Sequence, residues 1–133
     1  MKKIIALFPA LIACSILSSY SSLKNPSCNE IFGIWTWEKS ISIKDHNYTS
    51  TPHSMGFRKK IEFTQDGLII TYKNGFEIRS GRYAMEKGIG ANDSLEHDLI
   101  SFEGSVYVIE NITSKNLTLR HNVPQGSISV YKR

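Results

Sequence analysis

Histidines, cysteines and clustered acids are the side chains that carry metal and nucleophilic chemistry, and this chain has four histidines and two cysteines. His46 and His53 fall beside Asp45 in one polar stretch, where they could hold a cation at the surface. His97 and His121 stand far away, no H-x-x-x-H pair occurs, and no cysteine adjoins any histidine, so the spacing of a structural zinc site is missing. His46 and His53 read as loop histidines in water, and no metal is expected. A G-x-S-x-G elbow and a Gly-rich phosphate loop are also missing. Asp93, Glu96 and Asp98 gather in one stretch, but three acids beside a turn usually form a solvated face. A catalytic pair would need carboxylates converging from separate elements. The sequence calls for neither an enzyme nor a cofactor.

The aromatic residues hold more promise. Trp37, Phe63, Tyr72, Tyr83 and Tyr107 each fall in an alternating segment, in phase to face an interior. There they either fill a core or line an apolar cavity with hydroxyl handles, as ligand pockets do. Lys39 and Lys59 share faces with apolar neighbours. Either would pair with a carboxylate inside a cavity, or reach to the rim if no cavity exists.

The elements that must position these residues are strands. From Phe32 onward almost every segment alternates with period two, and no window sustains a 3.6-residue period. Phe32 to Ile43 places Trp35, Trp37, Ile41 and Ile43 on one face. Phe57 to Thr64 has Phe57, Ile61 and Phe63 in phase, and Leu68 to Lys73 has Leu68, Ile70 and Tyr72. Phe76 to Glu86 carries Phe76 and Ile78, then a bend at Ser80-Gly81, then Tyr83 and Met85. Asp66-Gly67 and Asn74-Gly75 are hairpin pairs, since Gly and Asn accept positive φ at low cost. After a polar loop from Lys87 to Glu96, four shorter strands follow at His97–Phe102, Ser105–Glu110, Asn116–His121 and Ser127–Lys132. Eight strands on short links predict an all-β, antiparallel up-and-down meander, and closure into a barrel would remove its edges. Eight strands leave an interior that is either filled or able to hold one small ligand.

Gly33-Ile34-Trp35 at the head of this array resembles the G-x-W signature of the lipocalin superfamily. Phe63–Gly67 (F-x-x-D-G), Ser80–Tyr83 (S-G-x-Y) and the Ile112–Leu119 run strengthen the likeness, which extends over 31–133. The resemblance implies that Gly33 permits close backbone approach and that Trp35 plugs a closed barrel end. It also implies a late-strand basic residue packed across the tryptophan, for which Arg120 and Arg133 are the candidates and Arg120 is placed in the closed-end group. Length is below that of larger lipocalins, and their second motif and C-terminal helix are missing.

The first residues read as an address. Lys2 and Lys3 precede an apolar run from Ile4 to Leu17, which at 14 residues falls short of the ~20 needed to span a bilayer. This is the pattern of a secretory signal. Within it, Leu11-Ile12-Ala13-Cys14 resembles the bacterial lipobox, which implies cleavage before Cys14 and lipidation of its thiol. Ser15 in place of aspartate then implies the outer membrane. Cleavage after Ser21 would instead give a soluble periplasmic or secreted protein. The expected organisation is a signal over 1–13, an anchor and Ser-rich tether over 14–29, and a barrel over 30–133. Cys28 is left without an intrachain partner.

The formal charge of +4 falls by two when Lys2 and Lys3 leave with the signal. The basic cluster Arg58-Lys59-Lys60 is broken by alternation, so nucleic acid is not an expected partner. The sequence therefore points to an envelope lipoprotein, held on a membrane through its lipid, whose barrel binds a small hydrophobic or amphipathic ligand. The rival is a ligand-free barrel acting through the Lys44–Gly56 loop as an interaction or inhibitor module, with a partner the sequence does not name.

Overall fold

The computed structural model describes residues 30–133, and the expected signal, Cys14, the tether and Cys28 lie outside them. Nine strands and one helical turn follow in order: β1 Gly33–Ser42, β2 Tyr48–Ser50, α1 Pro52–Met55, β3 Lys59–Phe63, β4 Leu68–Lys73, β5 Phe76–Ile89, β6 Glu96–Phe102, β7 Ser105–Ile112, β8 Asn116–His121 and β9 Ile128–Lys132. Every neighbouring pair is antiparallel, and β1 pairs with β9 to close an eight-stranded up-and-down barrel. The architecture is the one expected, and it is consistent with a lipocalin-like fold. β2 is an additional short strand, paired only to Ser40–Ser42 of β1.

β1 makes closure possible by serving two neighbours along its length. Gly33 to Thr36 pair with β3, while Thr36 to Ile41 pair with β9. Where β3 diverges, β2 takes its place beside β1. The helical turn that follows has its own local signals. The Thr51 side chain accepts from the Ser54 N–H at 3.1 Å, Ser54 Oγ accepts from the Thr51 N–H at 2.9 Å, and Gly56 ends the turn at φ +80°. Asn74-Gly75 and Glu103-Gly104 both adopt positive φ at two successive residues, as two-residue hairpins require.

Inward positions alternate as a barrel demands. Trp35, Trp37, Ile61, Phe63, Ile69, Ile100, Leu117, Leu119 and Tyr131 form one buried cluster with Ile31. Two phases differ from the sequence reading. The β1–β9 register slips between Trp37 and Lys39, a bulge that turns Ser40 inward in place of Ile41 and sends Lys39 outward. In β4, Ile69 and Thr71 are buried instead of Leu68, Ile70 and Tyr72. Ile69 is opposite Phe63 and Thr71 is opposite Ile61, so the β3 phase dictates that of β4. β5 also runs on without a break to Ile89, past the expected bend at Ser80-Gly81.

A smaller apolar contact lies on the outer face. Leu99 and Val108, paired across β6 and β7, are buried outside the main cluster. The 90–95 loop folds back toward them and is held to the β8–β9 turn. The Ala91 N–H donates to Asn122 Oδ1 at 2.7 Å, and Asn92 Nδ2 donates to the Val123 carbonyl at 3.1 Å.

Candidate functional site

The two ends of the barrel differ in chemistry. At the end where β1 begins, Trp35 is fully buried and its indole N–H donates to the Ile31 carbonyl at 2.8 Å. The guanidinium of Arg133 lies 3.9 Å from the Trp35 ring centroid. It also donates to the Phe32 carbonyl, to the Glu30 carbonyl at 2.8 Å and to the Ser114 carbonyl at 3.0 Å. Gly33 sits at φ +119°, and a Cβ there would come within 2.9 Å of Arg133 Nη1. Arg133 therefore takes the place across the tryptophan for which Arg120 was expected. Leu117 and Leu119 face inward on β8, so Arg120 must face out, where it pairs with Glu110 at 2.9 Å.

Aromatic side chains pack the interior from this end upward. Tyr83 meets the edge of Phe63 at 5.0 Å between centroids and donates its hydroxyl to the Thr64 carbonyl at 2.9 Å. Trp37 lies next along β1 from Trp35, stacked on Phe57 at 5.9 Å, its indole N–H donating to Ser40 Oγ at 2.9 Å. Phe63, Tyr83 and Trp37 thus serve as core. Tyr72, expected to face a ligand, is outside the barrel and donates to Glu62 at 2.9 Å across the β3–β4 pair.

The opposite end holds a cup of about 150 Å³. Its floor is Ile61, Phe102 and Leu119, and its wall is Lys59, Thr71, Glu103, Tyr107, His121, Ser127, Ser129 and Tyr131. Of the five aromatics expected at a ligand, Tyr107 alone belongs to this wall. It is held between Phe102, stacked at 4.7 Å, and His121 at 5.4 Å. Lys59 joins it, as one of the two lysines singled out by phase.

Sequence reasoning missed most of the wall for identifiable reasons. Glu103 looks like a hairpin-turn residue, yet φ +53° at that turn brings its carboxylate to Arg79 at 2.7 Å and to the Thr71 hydroxyl at 3.3 Å. His121 ends the Asn116–His121 strand expected from the sequence, and its parity with Leu117 and Leu119 was the usable signal for facing inward. Ser129 on β9, and Ser127 just before it, share parity with Tyr131 in the same way.

The electrostatics of the cup are uneven. Glu103 is answered by Arg79, whereas Lys59 forms no ion pair among the described residues. Burial lowers the Lys59 pKa below its ordinary value; nearby Glu103 opposes that shift and Arg79 adds to it. Tyr131 is only 5% exposed, and its hydroxyl makes no hydrogen bond to a protein group among the described residues. No fully buried side-chain donor or acceptor among the described residues lacks a partner, so this hydroxyl opens to solvent at the cup. Nothing in the cup resembles a nucleophile with an aligned base, and no cluster of metal-ligating groups occurs among the described residues.

Compared with known proteins, the chain matches no family model and no curated protein.

Burial pushes the Tyr131 phenol up and the Tyr83 phenol to about 12. Unfolded tyrosines ionise near pH 10. The unfolded chain therefore releases these protons first, so stability should be intact below about pH 10 and decline as pH rises toward the folded values. Circular dichroism melts between pH 8 and 12 should show the midpoint falling above pH 10. The fall should be shallower in Tyr131→Phe; equal slopes would count against this origin.

Proposed function

We propose that the protein is an envelope-tethered binding barrel that sequesters one small amphipathic molecule in the cup opposite Trp35. The observation that carries this reading is the cup itself, an apolar floor lined by Lys59 and by the Tyr131 hydroxyl, which makes no hydrogen bond to protein among the described residues and opens to solvent there. The apolar floor would take the apolar part of the ligand, at ~25 cal/mol per Å² removed from water. The polar wall would orient its head. A volume near 150 Å³ suits a group the size of a benzene ring. In this reading the protein is a carrier or scavenger, not an enzyme.

Native mass spectrometry of the gently purified full chain tests the reading. A reproducible added mass, lost on denaturation, is the expected result; a bare mass that persists after incubation with envelope extract counts against it.

The placement rests on Cys14, which we propose is lipidated and holds the barrel on the outer membrane by way of the 14–29 tether. Acyl chains at ~0.8 kcal/mol per buried CH₂ would make that attachment durable. Cys14→Ala should move the protein from the membrane pellet to the soluble fraction. Continued sedimentation with membranes would overturn the anchor.

A second reading has an observation of its own. Tyr48, Met55 and Phe76 are 57%, 49% and 75% exposed on β2, α1 and the β4–β5 hairpin, all at the cup's end of the barrel. Apolar side chains gathered around an opening suit a protein partner. That reading gains if the mass is bare.

A further inference from the structure

We infer that the cup selects a short monocarboxylate, with Lys59 as the ion-pair partner of the acid and the Tyr131 hydroxyl as a second donor to it. The inference rests on the binding reading above and specifies the chemical class of the ligand.

Three observations lead to it. The first is charge. Lys59 and Glu103 line the cup, with His121 uncharged in the formal count, and Arg79 outside the lining already meets Glu103 at 2.7 Å. The remaining charge is one positive unit on a lysine that is half-buried and without a counter-ion among the described residues. A single buried cation is matched by a singly charged acid, whereas a phosphate dianion would leave a charge unmet. The second is donors. Tyr131 brings a hydroxyl open to the cup and Ser127 lines the same wall, while the Ser129 hydroxyl is already bonded to Ser40 at 2.8 Å. Hydroxyl donors serve carboxylate oxygens, which accept only. The third is the floor. Ile61, Leu119 and Phe102 offer nothing to a fully polar ion but fit a ring or a short aliphatic stub.

Desolvation of Lys59 supports the same assignment. An empty cup leaves the ammonium poorly solvated, and an incoming carboxylate restores what burial removed. Glu103 then acts to shape the site: held by Arg79 and Thr71, it rejects a second negative group on the ligand.

Equilibrium dialysis of the full chain in a non-ionic detergent, with labelled benzoate and its uncharged isostere benzamide, tests the inference. Benzoate should be retained at least roughly tenfold more tightly than benzamide. Lys59→Met should abolish that preference, Lys59→Arg should keep most of it, and Tyr131→Phe should weaken benzoate several-fold. Melting midpoints of each variant show that the barrel is intact. Equal retention of benzoate and benzamide, or a preference that survives Lys59→Met, would overturn the inference. A non-acidic adduct in the native mass spectrum overturns it too, yet leaves the binding reading standing. No retention of either probe together with a bare mass removes both.

Discussion

Trp35→Ala is expected to leave much of the protein unfolded at room temperature. Removing a large buried aromatic costs about 3–5 kcal/mol in transfer and cavity terms. The loss of the Arg133 stack adds about 0.5–2 kcal/mol, and the Ile31 carbonyl loses its donor. Small domains have only about 5–15 kcal/mol in total. The effect is large because Trp35 joins three things at one point: the buried cluster, the β1–β3 pair through Ile61, and the guanidinium of Arg133. Urea unfolding followed by circular dichroism measures it. Trp35→Phe should recover part of the loss but not the indole hydrogen bond. A midpoint shift for Trp35→Ala as small as that of a surface substitution would contradict the account of this end as the barrel's fixed floor.

The second large effect is expected at Gly126, away from the buried cluster. A Cβ there would overlap the His121 carbonyl oxygen and reach within 2.8 Å of its carbon and 3.1 Å of the Val123 oxygen. These are backbone atoms, so no rotamer change relieves the overlap. The turn itself must open, and forced repacking of this kind costs about 1–3 kcal/mol. Opening it strains the His121 N–H bond to the Ser127 carbonyl, at 2.9 Å, and so displaces two residues of the cup wall. It also pulls on Asn122, which bonds the Ala91 N–H and the Ile89 carbonyl on the far side. Gly126→Ala should therefore lower the melting midpoint and weaken whatever the cup binds. Hydrogen exchange would find the damage, with faster exchange at Ala91 and at His121 in the same variant. Protection unchanged at both amides would contradict the coupling.

The eight barrel strands, their order and their closure were legible because they depend on parity and turn chemistry, both local, whereas β2 was not. Asn74-Gly75 and Glu103-Gly104 announce their hairpins, and Gly33-Ile34-Trp35 marks the head of the barrel. The candidate site was less legible, since its residues are set by phase, and phase is not a local property of an apolar strand. Leu68 to Lys73 is apolar on both faces through Ile70, so its own residues do not say whether Thr71 or Tyr72 faces in. Opposing Ile61 and Phe63 decide it. The bulge after Trp37 is also invisible in β1 alone, for it shows only in the pairing with β9, where Ser40 comes opposite Ser129. Arg133 and Arg120 are equally basic. Only the run of Leu117 and Leu119 along the inner face of β8 excludes Arg120 from the floor. α1, by contrast, was spelled out by Thr51, Pro52, Ser54 and Gly56 and passed over inside a polar loop.

The pairing of β1 with β9 has a consequence in time. Hairpins from β3 to β8 can form as soon as their own residues are present, each across a few positions. The seam between β1 and β9 is different, for it joins Phe32 to Arg133 across a sequence separation of 101. Contacts of such range come late, since the chain's freedom must be given up before they repay it. Until then the sheet has two open edges and Trp35 lacks its cover. A chain emerging from its N-terminus would thus stand as an unsealed sheet until its last residues follow. It would complete its floor and its cup in the same step, when the residues around Arg133 arrive.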